Sequence, residues 1–412
     1  MTPDAVLIET IDRHFGAHPS TEKIGVAVSG GSDSLALLYL LVEWGRASLS
    51  VATVNHGLRV SAAGEAAQVG RICEELGLFH TTLEWQGWDG RGNLQDHARR
   101  NRYALLAGWA KEGELDCVAL GHTQDDQAET FLMRLARESG LDGLTGMEPE
   151  THRHGIRFDR PLLRIGRDSL RDYLSRRGVT WIDDPSNEDD RFDRIKARKA
   201  LDALGPLGIS PETITETVNN LRFERLLIVE RAQDVARDII REDAGDLIFD
   251  RARFRRLNPE LQRRLLAAAL KWVASEDYPP RRDSLREVDA AIREERNVTL
   301  HGCQMLISAM TVRITREFNA VRSCTCATKE VWDGRWRLDG PHADDLEVRA
   351  LGEGINACPD WRATGHPRQS LIASPAIWRA EALIAAPIAG LKGGWTAKTP
   401  DRDHFAASLI SR

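Results

Sequence analysis

The stretch VAVSGGSDSLALLYLL, residues 26–41, decides the predicted fold. It joins two apolar runs through a short turn of serine, glycine and aspartate at residues 29–34. The valine-rich run before the turn is typical of a strand buried on both faces. A glycine-containing turn between a strand and a helix points backbone N–H groups and the positive helix end at an anion. The stretch therefore predicts a strand, an anion-binding turn and a helix, and the negative charge of Asp33 in that turn needs an explanation.

The sequence on both sides of this stretch alternates between strand patterns and helix patterns. Strand patterns cover 23–30, 49–58, 79–85 and 115–122, and helix patterns cover 62–77, 93–113 and 125–139. This alternation predicts an α/β fold with a doubly wound, mainly parallel sheet, whose ligand binds at the carboxyl ends of the strands. The polar stretches 29–34, 55–59 and 121–129 each follow a strand pattern, so we expect them along one edge of the sheet.

The length and the composition indicate a soluble protein with several domains. A chain of 412 residues is too long for one ordinary core. We place a sheet-forming domain at 1–209, a mainly helical domain at 210–320 and a small β-rich C-terminal domain at 321–412. No apolar run approaches the roughly 20 residues that cross a bilayer, so we expect a cytoplasmic protein with no membrane partner.

The six cysteines do not indicate a disulfide scaffold. None of them forms a Cys-x-x-Cys pair, and the chain is long. Cys324 and Cys326 would bind zinc only with distant partners that the sequence does not identify, so reduced thiols are the simpler prediction.

The stretch GHTQDDQAET places three carboxylates at the start of a helix pattern. Asp125 and Glu129 are four residues apart and Asp126 and Glu129 are three apart, so they share roughly one helix face. His122 lies just before them. The group indicates a metal site or a general base. The alternative is that the acids complement the helix dipole, with Thr123 as the N-cap.

The turn at 29–34 also has two interpretations. Taken alone, it is a tight turn in which Asp33 or Ser34 caps the following helix. The complete string Ser-Gly-Gly-x-Asp-Ser, however, resembles the PP-loop of the ATP pyrophosphatase superfamily, whose members cleave ATP between the α and β phosphates. The resemblance implies that Asp33 binds Mg²⁺, which offsets the charge of the pyrophosphate.

Six motifs together resemble those of one family. They are SGGSDS (29–34), NHGLR (55–59), NLQDHARRNRY (93–103), GHTQDDQAETFLMRLARESGLDGLTGM (121–147), RPLLRIGRDSLRDYL (160–174) and DDPSNEDDRFDRIKAR (183–198). Their order and spacing resemble those of tRNA(Ile)-lysidine synthases. The resemblance is dense over about 20–205, and LIASPAIWRAEALIAAPIAGL at 371–391 is similar to the small terminal domain of that family.

The resemblance implies an ATP-dependent ligase that forms a C–N bond. Such an enzyme adenylates the C2 oxygen of the wobble cytidine in tRNA(Ile) with a CAU anticodon, and the ε-amine of L-lysine then displaces AMP. The products are lysidine, AMP and pyrophosphate, and Mg²⁺ is the cofactor. Under this resemblance 1–209 is the ATP-binding catalytic domain and 210–320 binds tRNA.

The resemblance also implies roles for the residues that match the motifs. The ATP-binding residues are Ser29, Gly30, Gly31, Ser32, Asp33 and Ser34, with Asp33 as the metal ligand. The catalytic residues are Asp33, Arg99, Arg102, His122, Asp126 and Glu129. Arg99 and Arg102 are three residues apart on a helix pattern, so both would face phosphate or the activated base. A solvated basic face is the alternative for this pair.

A basic cluster at the end of the sixth motif indicates tRNA contact. The tRNA-binding residues are Arg194, Lys196, Arg198 and Lys199, and Arg191 precedes them. The net charge of −6 argues weakly against a nucleic-acid partner, but binding depends on where positive charge is clustered. The family usually has asparagine where this chain has Ile195, so the role of that asparagine does not carry over.

Two alternatives to this function stay open. A different PP-loop enzyme is one, but a thiolase would need paired cysteines near the site and an amide-forming synthetase would need a glutaminase half. A non-catalytic RNA-binding module is the other, although it would be free to lose the polar residues that SGGSDS and HTQDDQAET retain. The oligomeric state is open as well, with a homodimer among the alternatives.

Overall fold

The computed structural model describes residues 2–55, 57, 62–85, 94–182, 193–276, 278–399 and 404–409. The chain forms two compact units, Met1–Arg225 and Leu226–Arg412. Their boundary falls within a long helix, Pro211–Ile239. The predicted division into three domains, with boundaries after 209 and after 320, stays a prediction.

The first unit alternates strands and helices. Its strands are β1 (Lys23–Ala27), β2 (Ser48–Asn55), β3 (Phe79–Glu84), β4 (Cys117–Leu120), β5 (Glu150–Arg153) and β6 (Ile156–Asp159). Its helices are α1 (Pro3–Gly16), α2 (Ser32–Trp44), α3 (Ala62–Glu75), α4 (Leu94–Glu112), α5 (Gln124–Leu135), α6 (Leu141–Leu144), α7 (Arg167–Arg176) and α8 (Asp193–Leu204). The next helix, α9 (Pro211–Ile239), begins in the first unit and ends in the second. The hairpin of β5 and β6 is not among the elements that the sequence predicts.

The six strands form one sheet in the order β3-β2-β1-β4-β6-β5. All neighbouring pairs are parallel except β5 and β6, which are antiparallel. This confirms the predicted doubly wound, mainly parallel sheet. The chain leaves β1 towards β2 on one side, and β4 lies on the other side of β1. Ligands of such sheets bind where the strand order reverses, so the turns after β1 and β4 define the site.

Burial of the first apolar run and of α2 fixes the position of the turn between them. Ile24 and Val26 of β1 are fully buried, as are Leu35, Leu38 and Leu41 of α2. Each such side chain contributes about 2 kcal/mol on burial. The four residues between these two elements, 28–31, therefore have little freedom to move.

The second unit is built on antiparallel sheets. Its strands are β7 (Ile240–Asp243), β8 (Asp246–Asp250), β9 (Val298–Leu300), β10 (Cys303–Ile307), β11 (Thr311–Arg316), β12 (Thr325–Ala327), β13 (Arg337–Asp339), β14 (Glu347–Ala350), β15 (Pro375–Arg379), β16 (Ala382–Ala385) and β17 (Thr396–Lys398). Its further helices are α10 (Arg251–Arg255), α11 (Pro259–Ala274), α12 (Arg282–Glu294), α13 (Phe318–Val321), α14 (Arg368–Ile372) and α15 (Phe405–Ser408).

These strands form three sheets, in the orders β7-β8-β11-β10-β9, β12-β14-β15-β16 and β13-β17. The amphipathic helices α11 and α12 pack their apolar faces on the first of these sheets through Leu265, Leu270, Val273 and Val288. The β-rich C-terminal region agrees with the predicted fold class. None of the described helices combines the length and the apolar character that crossing a membrane requires.

Candidate active site

The turn after β1 has the geometry of an open anion site. Gly30 has a φ of +86°, in the left-handed region that glycine adopts without strain. Helix α2 begins at Ser32, and its N-cap residue is Gly31, with no side-chain cap. The alternative in which Asp33 or Ser34 caps this helix is therefore wrong. Because the first N–H groups of a helix have no partner within it, those of α2 are available to an anion.

Hydrogen bonds within this turn fix its shape, and the end of β4 packs closely against it. Ser34 Oγ accepts a hydrogen bond from Ser29 N at 3.1 Å and donates one to Gly31 O at 3.0 Å. A Cβ on Gly121 would lie 2.8 Å from Ser34 Cα. Glycine at 121 thus lets the end of β4 touch the start of α2. Ser29 is exposed and Asp33 is partly exposed, so the turn is accessible to a ligand.

Helix α5, which follows β4, begins with a reciprocal cap. Thr123 Oγ1 accepts a hydrogen bond from Asp126 N at 3.4 Å, and Asp126 Oδ2 accepts one from Thr123 N at 2.8 Å. The alternative with Thr123 as the cap is confirmed, but it explains only one oxygen of Asp126. The other oxygen, Oδ1, lies 3.6 Å from Arg167 Nη2 and 3.5 Å from Arg194 Nη2. Asp126 therefore caps the helix and also presents a carboxylate oxygen to two arginines.

Arg167 joins the turn after β1 to helix α5. Its Nε donates a hydrogen bond to Asp33 Oδ2 at 3.0 Å, and its Nη1 lies 3.8 Å from Glu129 Oε1. Its backbone N–H donates to Asp125 Oδ2 at 2.7 Å. The structure thus brings together Asp33, Asp126 and Glu129, three residues of the predicted catalytic set.

Glu129 is the most enclosed of these carboxylates, with 1% of its side chain exposed. Arg194 Nε lies 3.0 Å from its Oε2, and Arg198 Nη2 lies 2.9 Å from its Oε1. The two arginines are one turn apart on α8. Helix α8 therefore supplies the two positive charges nearest to Glu129, and Arg167 of α7 adds a third.

The three carboxylates differ in their pKa. Burial raises the pKa of Asp33 and that of Glu129, and the neighbouring arginines offset this effect only in part. Burial acts in the same direction on Asp126, but the positive charges around it, with Arg194 first, bring its pKa below the ordinary value. Asp33 and Glu129 therefore remain short of positive charge when they are ionised.

The other predicted catalytic side chains share a cavity of about 170 Å³. It is lined by Ala98, Arg99, Arg102, Tyr103, Leu106, Leu120 and His122. Burial lowers the pKa of His122 to about 3, so its imidazole is neutral at physiological pH. The Nδ1 atom of this ring is buried and has no hydrogen-bond partner among the residues that the structure describes. The cavity thus combines two cationic side chains, a free imidazole nitrogen and an apolar wall.

The predicted tRNA-binding residues divide between two faces of α8. Arg194 and Arg198 face Glu129, although 43% and 35% of their side chains remain exposed. Lys196 has 63% of its side chain exposed, and Lys199 is also exposed. The two lysines therefore form the outer part of the basic cluster.

Ile195, in place of the asparagine that is usual in the family, lies on the buried side of α8. It is 7% exposed, and Ala197 and Leu201 on the same helix are also buried. An apolar side chain is compatible with this environment. Arg191, the first member of the predicted basic cluster, lies outside the described residues.

Arg167 is a residue of the candidate site that the sequence does not single out. It lies within the motif RPLLRIGRDSLRDYL, directly after a glycine and at the first position of α7. Its partner Asp33 is 134 residues away in the chain. A glycine followed by a charged residue at a helix start was the available signal, but only the fold identifies the partner.

Comparison with known proteins places this chain in a family. The sequence profile of the PP-loop domain matches residues 6–203. A relative from Ruegeria pomeroyi, named tRNA(Ile)-lysidine synthase, is 48% identical over 410 residues, which cover 98% of this chain and 98% of the relative. This chain belongs to the tRNA(Ile)-lysidine synthase family.

Further relatives of the same name support this membership. The protein from Wolbachia pipientis wMel is 35% identical and covers 82% of this chain and 84% of its own length. The protein from Orientia tsutsugamushi is 32% identical, and the match covers 79% of this chain and 77% of that relative. The similarity to family members therefore extends well beyond the PP-loop domain.

The cysteines do not support the alternative of a PP-loop thiolase. All six are free, and Cys73 and Cys117 are buried in α3 and β4. Burial raises the pKa of Cys73 to about 11 and also raises that of Cys117. Thiols in this state are poor nucleophiles at neutral pH.

Proposed function

We propose that this protein joins L-lysine to C2 of the wobble cytidine of tRNA(Ile) with a CAU anticodon, using ATP and releasing AMP and pyrophosphate. The observation that carries the proposal is the contact of Arg167 with Asp33 on one side and with Asp126 and Glu129 on the other. An anion-binding turn and a group of carboxylates thereby face one another. We take the substrates from the chain's membership of the tRNA(Ile)-lysidine synthase family.

ATP binds through the turn at 29–34 in this proposal. The N–H groups at the start of α2 point at the phosphates, and the helix dipole favours their negative charge. Asp33 suits Mg²⁺, because a carboxylate is a ligand that this ion prefers and because burial leaves Asp33 short of positive charge. When bound, Mg²⁺ neutralises charge on the pyrophosphate and makes it a better leaving group.

We assign the ε-ammonium group of lysine to Asp126 and Glu129. An ammonium ion supplies the positive charge that burial leaves missing at Glu129. The amine must lose a proton before its nitrogen can attack, and a nearby carboxylate can accept that proton. Glu129 is the better acceptor of the two, because its pKa is raised whereas that of Asp126 is lowered.

The reaction consists of two bond exchanges. In the first, the cytosine O2 atom attacks the α-phosphorus of ATP, and the bond from that phosphorus to pyrophosphate breaks. In the second, the lysine nitrogen bonds to C2, and the bond from C2 to the AMP oxygen breaks. Arg99 and Arg102 stabilise negative charge on the transferred phosphate, and the Nδ1 of the neutral His122 ring, unpartnered among the described residues, is available for a hydrogen bond with a substrate in the cavity.

The exposed basic residues of α8 bind the tRNA backbone in this proposal. Lys196 and Lys199 face outwards, which supports contact with phosphates. Arg194 and Arg198 keep part of their side chains exposed, so they can contact tRNA as well as Glu129. Lysine acts here as a compact point charge, whereas arginine can bind phosphate through two N–H groups.

Release of pyrophosphate from ATP tests the proposed function. We expect release that depends on both lysine and a tRNA(Ile) transcript with a CAU anticodon, and we expect lysidine in the digested tRNA by mass analysis. Release that requires a sulfide donor instead would favour thiolation. Retained tRNA binding with no turnover of any tRNA would favour the non-catalytic module.

Two further parts of the proposal concern the location of the protein in the cell and its oligomeric state. We place it in the cytoplasm because its proposed substrate is a tRNA, and cell fractionation tests this placement. The homodimer stays a prediction, which sedimentation measurements test.

A further inference from the structure

Arg167 lies between carboxylates that the proposed function assigns to two different substrates. Its side chain is 16% exposed and forms a hydrogen bond with Asp33, the proposed metal ligand. Its two Nη atoms lie 3.6 Å from Asp126 and 3.8 Å from Glu129, the proposed lysine ligands. These two distances are too long for hydrogen bonds, so the attraction on this side is Coulombic.

The backbone of Arg167 is fixed while its side chain has several partners. Its N–H binds Asp125 Oδ2, and Gln124 N donates to Ile165 O at 3.0 Å, so residues 165 and 167 are both tied to α5. Tyr173 of α7 donates a hydrogen bond to Glu43 of α2 at 3.0 Å. Helix α7 is thus attached to the helices that carry both groups of carboxylates, and the freedom that remains is in the side chain.

Arg167 is a permanent cation that the carboxylates share. Burial alone would lower its pKa, but Asp33, Asp126 and Glu129 outweigh burial and raise it. Among the described residues it is the cation that forms an ion pair with Asp33, whereas Glu129 also has Arg194 and Arg198. A substrate cation that binds Asp126 and Glu129 therefore changes the balance of attraction between Arg167 and Asp33.

We propose that Arg167 is a positioning residue that couples ATP binding to lysine binding. This inference rests on the proposed function. When the lysine ammonium binds Asp126 and Glu129, it replaces Arg167 there, and the guanidinium becomes available to the phosphates beside Asp33. Lysine therefore strengthens ATP binding, and by thermodynamic reciprocity ATP strengthens lysine binding to the same degree.

The test is the dissociation constant of Mg²⁺·ATP, measured by calorimetry with and without saturating lysine. For the wild-type protein we expect lysine to tighten binding about tenfold, within the usual range of such couplings. For Arg167→Gln, which keeps much of the size and removes the charge, we expect lysine to change binding by less than about twofold. An unchanged lysine effect in Arg167→Gln would overturn the inference.

Arg164→Gln is the matched control. Arg164 lies three residues earlier, is 64% exposed and pairs with Glu216, so its variant should keep the wild-type lysine effect. If Arg167→Gln does not fold, Arg167→Lys is measured instead, because it keeps the charge but loses the planar fork. For Arg167→Lys, the factor by which lysine tightens ATP binding should be at most half the factor for the wild type. An equal factor would overturn the inference.

Failure of this inference can be told apart from failure of the proposed function. Wild-type protein that forms lysidine, yet binds ATP equally well with and without lysine, overturns the coupling alone. Wild-type protein that binds no ATP under either condition contradicts the proposed function itself.

Discussion

Two clusters of acidic and basic side chains in the first unit differ in electrostatic balance. The Asp159 cluster consists of Asp159, His14 and Arg157. Asp159 has no exposed side-chain surface, and it lies 3.0 Å from His14 Nε2 and 2.9 Å from Arg157 Nε. Burial would raise its pKa, but hydrogen bonds and positive charge outweigh burial and lower it. The ionised form of Asp159 is thus satisfied by the protein itself.

The substrate cluster consists of Asp33, Asp126, Glu129, Arg167, Arg194 and Arg198. Here burial outweighs the arginines at Asp33 and Glu129, and the pKa of each is raised. Carboxylates whose charge is incompletely balanced are typical of sites that receive a cation. The comparison teaches that nearby arginines do not by themselves balance a buried carboxylate. The pKa is raised at Asp33 and Glu129, whereas it is lowered at Asp126 and at Asp159.

The largest expected effect is that of Asp33→Asn. The variant keeps the shape of the side chain and removes the charge that Mg²⁺ requires, so pyrophosphate release should fall by about 10³-fold. The affinity for tRNA and the melting temperature should stay close to those of the wild type. AMP formation at the wild-type rate would refute the role of Asp33, and a large loss of melting temperature would class it with Asp159.

Glu129→Gln should lower kcat/KM for lysine by about 10²-fold, because it removes the proton acceptor and one ligand of the ammonium. Its melting temperature above neutral pH should be equal to or higher than that of the wild type. The folded-state pKa of Glu129 is raised, so its ionisation costs stability as pH rises from the ordinary glutamate pKa through that raised value.

Thermal melts across pH check the stability part of this prediction. The advantage of Glu129→Gln should shrink as the pH falls and the wild-type carboxyl takes up its proton. A variant that is clearly less stable than the wild type at neutral pH would show that the arginines of α8 balance this charge fully.

Asp159→Asn should act on stability and leave catalysis intact. Breaking a buried ion pair leaves Arg157 without its partner and costs about 3 kcal/mol, which corresponds to a fall in melting temperature of roughly 6 to 12 °C. Because the folded-state pKa of Asp159 is lowered, its contribution is present above the ordinary aspartate pKa and is lost as pH falls through the lowered value. Melting curves at neutral and acidic pH, with KM for lysine as the control, measure both effects.

The smallest expected effect is that of His122→Asn, which should lower the rate without changing its pH profile. The pKa of His122 is lowered to about 3 by burial, so the ring does not titrate near neutrality. The rate should fall by roughly tenfold through loss of the hydrogen bond that we propose between His122 and a substrate, while the pH at half-maximal rate stays the same. A profile in which the variant loses an inflection near the ordinary histidine pKa would mean that His122 is charged in the working enzyme.

Local patterns were sufficient to predict strands β1 to β4 of the sheet and much of the substrate cluster, but not the hairpin of β5 and β6. The apolar run before 29–34 predicts a buried strand, and its glycines mark the turn. The carboxylates near 126 lie together because their spacing puts them on one helix face. The turn at 29–34 and the start of α5 then lie close together, because they follow β1 and β4, which are neighbouring parallel strands at the centre of the sheet.

Other features depend on partners far apart in the chain, and no local pattern predicts them. The contact of Arg167 with Asp33 is one, and the pairing of Arg194 and Arg198 with Glu129 is another. The double role that we propose for Asp126 was also hidden, because a cap and a substrate ligand have the same sequence signature at a helix start. The direction of a pKa shift likewise requires knowledge of burial.

The most direct test of this account is a ¹³C NMR titration of the side-chain carboxyls of Asp33 and Glu129, assigned with the Asp33→Asn and Glu129→Gln variants. In the free protein we expect both groups to titrate above the ordinary values for aspartate and glutamate. Addition of Mg²⁺·ATP and lysine should lower both pKa values, because the substrates bring the missing positive charge. Ordinary or lowered pKa values in the free protein, as expected for Asp159, would contradict the account.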